Sequence, residues 1–354
     1  MRRAATTRTF SDQITRLRQH PLVEPITDHT YAVSGGWART FIFIPNLQGK
    51  RGILIDPSVS DQVERAYKTD YAGRFRRAIA ELGLQQPNGA LRRIMQTTPE
   101  RIVLLRDLKG KTNAFEWAFD MSSEEHARLG LERIETLAGL IDDSGLVVDA
   151  VCATHHHIDH LGVGSQLRRL LNVKEHIPIP EPAVFKRTNR RRGDFLVESN
   201  SDGFQRLGDS QIIHDYGICI VEIDGHTKMS GYLLPDGTLI VGDLVTSANM
   251  WKRSVLYMEN VSQHLDSLRR LSRIQFERLA LGHGQFYVLE PDTAVVWIEE
   301  NVRNVMMAMD IVMDSLDSVE AADRYLQAKG APTTRFEYLA WAVISAYNLS
   351  DYRV

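Results

Sequence analysis

ATHHHIDHLG, residues 153–162, sets four histidines and an aspartate within six consecutive positions. A run of this kind reads as a tag, as a solvated loop or as a metal site, and the rest of the chain has to supply partners if it is the last. The residues leading into it, LVVDAVCAT (146–154), are an apolar run of strand length. The chain therefore leaves a buried strand directly into the histidines. In an extended turn successive side chains point to opposite sides, so His155 and His157 face one way and His156 the other. Asp159 and His160 follow on the next bend.

Three distant positions repeat that placement at the end of a strand-like run: His226 after CIVEIDG, Asp243 after TLIVG and His283 after RLALG. Glycines 225, 242, 282 and 284 beside them allow tight turns. The result is a set of five imidazoles and two carboxylates, a mixed nitrogen and oxygen donor set suited to zinc, iron or manganese. A lone histidine in a strand is usually structural. Seven donors, all at strand ends, make a metal centre the better reading.

The remainder of the chain bounds the class. Its 354 residues allow a large core, read as one large domain with an appendage. Apolar content of 43%, charged content of 25% and a net charge of −3 are those of an ordinary globular protein, with no overall drive toward nucleic acid or anionic membrane. No apolar run approaches the roughly 20 residues of a membrane helix. The basic start, MRRAATTRTFSDQITRLRQH, has no apolar core behind its arginines, so a secretory signal is not expected and the cytoplasm is the default location. Cys152 and Cys219 each lie in an apolar run without a CxxC partner and are expected to be buried strand residues.

Periodicity predicts the supporting elements. RTFIFIPNLQGKRGILIDPSV (39–59) reads as two strands around a turn. Ser122 and Glu125 have capping-box spacing, and Ala127, Leu131, Ile134, Ala138 and Ile141 behind them form an amphipathic helical stripe. GSQLRRLLN reads as a short helix and IPIPEPAVF as an extended segment. IIHDYGICIVEIDGHT and GYLLPDGTLIVGDLV read as strands, the latter two joined at Pro235-Asp236-Gly237. Ile298, Val302, Val305, Met309, Val312 and Leu316 mark a C-terminal helix, with further helices near 319–329 and 333–347.

Together, HxHxDH at 155–160, GHT at 225–227, GD at 242–243, GHG at 282–284 and the strand GILIDPS at 52–58 resemble the metallo-β-lactamase-fold superfamily, over roughly residues 30–290. The resemblance implies an α/β protein built as an αββα sandwich with a two-metal site at one edge. The expected layout is a catalytic domain over 1–290, an insertion at about 60–120 after the early strands, and a helical extension over 291–354. By the same resemblance His155, His157 and His226 hold one metal, Asp159, His160 and His283 hold the other, and Asp243 bridges them. Asp159 also takes a catalytic role, and Asp56 supports the histidine loop. An acid at position 243 separates such chains from true lactamases and aligns them with glyoxalase II-like thioesterases, lactonases, phosphodiesterases and persulfide dioxygenases.

The function expected from this resemblance is that of a dinuclear metal-dependent hydrolase using metal-bound hydroxide on a thioester or ester, lactones included. Two divalent ions serve it, zinc first, with iron or manganese as alternatives. The alternative function is an iron-dependent oxidoreductase of the persulfide dioxygenase or flavodiiron kind. A metal-stabilised binding protein without catalysis ranks third. The expected partner is a small-molecule substrate, anionic or carrier-linked. FKRTNRRRGDF (185–195) is either a solvated charge run or an electrostatic patch for such a substrate. Nucleic acid is disfavoured, no membrane is expected, and a homodimer is an open alternative. Tyr257 and Tyr287 are either oxyanion donors or packing residues, the latter preferred.

The long connection after Asp56, which carries Phe115, Trp117 and Phe119, is expected to cover the active-site mouth or a partner subunit. Its deletion should impair substrate binding or dimerisation and leave metal content intact. Unchanged kinetics together with an unchanged oligomeric mass would make it a passive surface insertion.

Overall fold

The computed structural model describes residues 10–48, 50–62, 123–180, 204–245, 260–284 and 287–315. The connection at 63–122, the basic stretch 185–195, Tyr257 and the helices expected near 319–329 and 333–347 lie outside the described residues. Among the described residues the architecture is mixed α/β, as the sequence predicts.

The first five-stranded sheet runs β1 (Val23–Pro25), β2 (Thr30–Val33), β3 (Thr40–Asn46), β4 (Arg51–Ile55) and β5 (Val147–Cys152), in that spatial order. The first three pairings are antiparallel and β4–β5 is parallel. Phe41, Ile42, Phe43 and Ile44 are all buried, as are Ile53, Leu54 and Ile55. These strands are covered on both faces, which is why they read as unbroken apolar runs and not as alternating ones. Helix α1 (Phe10–Gln19) lies against β1 and against α2 (Ser123–Ser144).

Helix α2 is rotated from its expected stripe. Among its described residues the buried positions are Gly130, Arg133, Leu137, Leu140, Ile141 and Ser144, while Leu131 is 55% exposed. The apolar pattern placed Leu131 inward. Arg133 instead finds acceptors indoors, donating from Nη1 to the Ser34 carbonyl at 2.9 Å and from Nη2 to Thr40 Oγ1 at 3.1 Å. Burial lowers its pKa to about 10.

After β5 come two short helices, α3 (Ile158–Leu161) and α4 (Gly164–Leu170). A parallel pair follows, β6 (Ile177–Ile179) with β7 (Phe204–Arg206). The stretch IIHDY, expected as strand, is part of helix α5 (Gln211–Asp215), because Ser210 caps it by accepting from the Ile213 amide.

The second five-stranded sheet has the order β12 (Val288–Leu289), β11 (Arg278–Ala280), β10 (Thr238–Ile240), β9 (Ser230–Leu233) and β8 (Cys219–Glu222). Strand β8 is an edge, and this exposes Cys219 where the sequence predicted a buried residue; Cys152 is buried as expected. The β9–β10 turn is tied to the loop before β2 by Thr27 and Thr30, whose hydroxyls both donate to Asp236 Oδ2 at 2.5 Å. Tyr232 on β9 donates to the Ala153 carbonyl at 2.9 Å, at the mouth of the histidine stretch. Helix α6 (Val261–Leu271) packs on α7 (Pro291–Ser315), whose Ala294, Ile298 and Val305 are buried. No helix among the described residues is long and apolar enough to cross a membrane.

Arg133→Met should lower stability by about 1–3 kcal/mol, the cost of stranding the Ser34 carbonyl in a buried setting. The urea midpoint checks this, and an unchanged midpoint would make the buried arginine energetically neutral.

Candidate metal centre

Asp56 ends β4 in the left-handed region, at φ 55°, and its side chain is fully buried. Both carboxylate oxygens are used. Oδ1 accepts from the Thr154 amide at 2.7 Å, and Thr154 Oγ1 lies 3.1 Å from Oδ1 and 3.0 Å from Oδ2. His160 Nδ1 stands 2.9 Å from Oδ2. A carboxylate only accepts, so Nδ1 of His160 carries the proton and Nε2 keeps its lone pair for a metal. The same reasoning reaches His155. Thr154 spends its hydroxyl proton on Asp56, so toward His155 Nδ1 at 3.1 Å it accepts, and the nitrogen of His155 that could hold a metal is again Nε2.

The histidine stretch is one compact turn. The amides of His160 and Leu161 both donate to the His157 carbonyl, closing α3, and the Val163 amide reaches the Pro57 carbonyl beside Asp56. The ring centroid of His155 lies 4.5 Å from that of His157 and 4.2 Å from that of His160. His155, His157 and His160 are buried and Asp159 is 9% exposed. His156 is half-buried and belongs to neither donor group.

The downstream donors have their own framework. Asp243 follows β10 through Gly242, whose φ of 50° turns the chain at the sheet edge. The Val241 amide donates to the Ala280 carbonyl and the Gly282 amide to the Gly242 carbonyl, so the ends of β10 and β11 run in step and bring His283 beside Asp243. Asp243 divides its oxygens: Oδ2 lies 3.4 Å from His226 Nε2 and Oδ1 lies 3.3 Å from His283 Nε2. His226 sits in the bend between β8 and β9, where the Gly225 amide donates to the Thr227 carbonyl and the Met229 amide to Asp224 Oδ1.

Two groups of donors result. One ligand atom from each of His155, His157, His226 and Asp243 lies within 4.8 Å of the others, and the same holds for Asp159, His160, Asp243 and His283. All seven residues singled out in the sequence fall in these groups. Asp243 is common to both. The donor chemistry, three imidazoles with one carboxylate and two of each, fits divalent first-row metals.

Residues that the sequence did not flag also shape the site. Thr154 lies inside the quoted stretch, yet its role depends on Asp56, 98 residues away. Thr40 relays between Arg133 and the Asp56 carbonyl, to which its hydroxyl donates at 2.8 Å. His264 on α6 is fully buried, and burial lowers its pKa to about 3, with His226 contributing in the same direction. No local pattern marks it. Tyr287 is buried, and its carbonyl accepts from the Leu281 amide.

Residues 122–283 match the family model described as the metallo-beta-lactamase superfamily. That segment, somewhat under half of the chain, is similar to the metallo-β-lactamase superfamily. The curated relatives it resembles are named hydroxyacylglutathione hydrolase. The protein of Hamiltonella defensa subsp. Acyrthosiphon pisum is 28% identical over 194 residues, covering 53% of this chain and 64% of that one. The protein of Aliivibrio salmonicida is 30% identical over 138 residues, covering 39% and 48%. The chain thus spans between about half and two thirds of the length of these relatives. Among solved structures, VMB-1 matches over 81% of this chain and 97% of its own at 14% identity, with a TM-score of 0.47.

Asp56→Asn should reduce metal affinity about 10- to 100-fold, because one face of an amide cannot accept and the orientation of His160 or Thr154 is lost. Competition with a chelator measures this. Wild-type affinity in the variant would show that the buried carboxylate does not orient the ligands.

Proposed function

We propose that the chain is a dinuclear metal-dependent hydrolase acting on a thioester or ester, lactones included. The observation that carries this reading is the division of Asp243, one oxygen beside His226 and the other beside His283. In this assignment His155, His157 and His226 hold one ion, Asp159, His160 and His283 hold the second, and Asp243 is shared. Zinc is the first expectation, iron or manganese the alternatives. Two bound divalent ions supply hydroxide at neutral pH and polarise the acyl oxygen.

The chain's own residues do the rest. Asp56 and Thr154 fix which nitrogen of His160 and His155 faces the site, so the ligands are preorganised. The near-complete burial of the donors keeps bulk water from competing with substrate. Asp159, with Oδ2 3.8 Å from His160 Nε2, is assigned to receive the proton released on hydrolysis. The thioester class is supported by the name hydroxyacylglutathione hydrolase borne by the relatives, and the basic 185–195 stretch suits an anionic or carrier-linked acyl group. A catalytic domain over 1–290 with a helical extension over 291–354, in a cytoplasmic protein, completes the proposal.

Metal analysis of the purified protein should approach two equivalents per chain. Asp243→Asn should lose one of them, keep its fold, and hydrolyse a thioester or lactone about 100-fold or more slowly, at least the cost of disturbing a ligand's support. His156→Gln should stay near the parent rate. Full hydrolysis by Asp243→Asn would refute the shared carboxylate, and stoichiometric oxygen uptake during turnover would move the chain to iron redox chemistry.

A further inference from the structure

Helix α6 grips the chain just ahead of His226. Ser267 Oγ donates to the Asp224 carbonyl at 2.7 Å, Arg270 Nη1 to the Glu222 carbonyl at 3.0 Å, and the Asn260 amide to the Gly225 carbonyl at 2.9 Å. Gly225 touches the helix so closely that a Cβ built there would fall 2.2 Å from the backbone nitrogen of His264 and 2.3 Å from its Cα. With φ at 128°, position 225 admits no other residue without moving the loop or the helix.

The residue at that contact is itself unusual. His264 is 1% exposed, and its Nδ1 has no hydrogen-bond partner among the described residues. A leucine or phenylalanine would fill a helix core position without asking for a partner. An imbalance of this kind, a local rule broken with no gain to the core, is characteristic of a residue kept for a site. His264 is outside both donor groups, so it does not serve as a ligand.

We propose that His264 is a positioning residue for the metal centre, its ring backing the bend that presents His226. The proposal rests on the two-metal reading above. Its consequence is a separation of stability from metal affinity. Replacing a buried ring whose Nδ1 has no partner among the described residues with an apolar side chain of similar size is neutral or favourable for the fold. The same replacement frees His226 to shift, and it acts on the donor group containing His155, His157 and His226 before the group containing His160 and His283.

The experiment is Co²⁺ titration of full-length wild type, His264→Leu and His264→Gln against a competing chelator, with thermal midpoints of the metal-free proteins. Wild type should bind two equivalents. His264→Leu should keep one as in wild type and bind the other at least tenfold more weakly, with a changed cobalt absorption for that equivalent and a metal-free midpoint at or above wild type. His264→Gln, which retains a polar head, should lose less affinity. Two unaltered equivalents in His264→Leu would overturn the proposal. So would a metal-free midpoint that falls in both variants along with affinity, since His264 would then be a core residue. If His264→Leu fails to fold, His264→Gln decides by the same comparison. Fewer than two equivalents in wild type would instead overturn the two-metal reading, whatever the variants do.

Discussion

A single buried carboxylate organises the upstream half of the site. Asp56 is held in a backbone conformation that a non-glycine residue adopts at a cost. What offsets the strain is that both of its oxygens are engaged, by the Thr154 amide and hydroxyl and by His160. An unpaired ionised carboxylate at zero exposure would be untenable, so the histidine loop and the acid that orients it require each other. The dependence extends outward, since the Asp56 carbonyl accepts from Thr40, which accepts from Arg133 on α2. A helix on the outside of the first sheet thereby helps to fix a histidine ring.

The downstream donors have a framework of backbone geometry. Amide-to-carbonyl bonds keep the ends of β10 and β11 level, which decides that Asp243 and His283 are neighbours. The bend bearing His226 depends on close packing against α6. Carboxylate support gives precise ring orientation, and backbone support leaves more room for adjustment.

Much of this was legible in the sequence because metal donors at strand ends keep their spacing from glycines and apolar runs that are themselves readable. The α/β class, the β3–β4 and β9–β10 hairpins and the gathering of seven donors follow from such local patterns. IIHDY became helical through the local Ser210 cap, whereas the other errors share one source, a tertiary partner overriding a local preference. Helix α2 turned because Arg133 found acceptors in the strand layer, and Cys219 is exposed because the sheet places β8 at its edge. Thr154 and His264 were invisible for the same reason, since the groups they meet, Asp56 and Gly225, are far away in the chain.

The parallel pairing of β4 with β5 joins Ile55 to Cys152, with the whole connection between them closed into one loop. Only when that loop closes do Asp56 and Thr154 meet. Closure entropy grows with the logarithm of length, each doubling adding about 0.6 kcal/mol, so a long insertion at this point costs the native state little. Its effect is on the folding rate, because non-local parallel pairing is slow to form. Until that pairing forms, Thr154 and His160 lack the carboxylate that holds them.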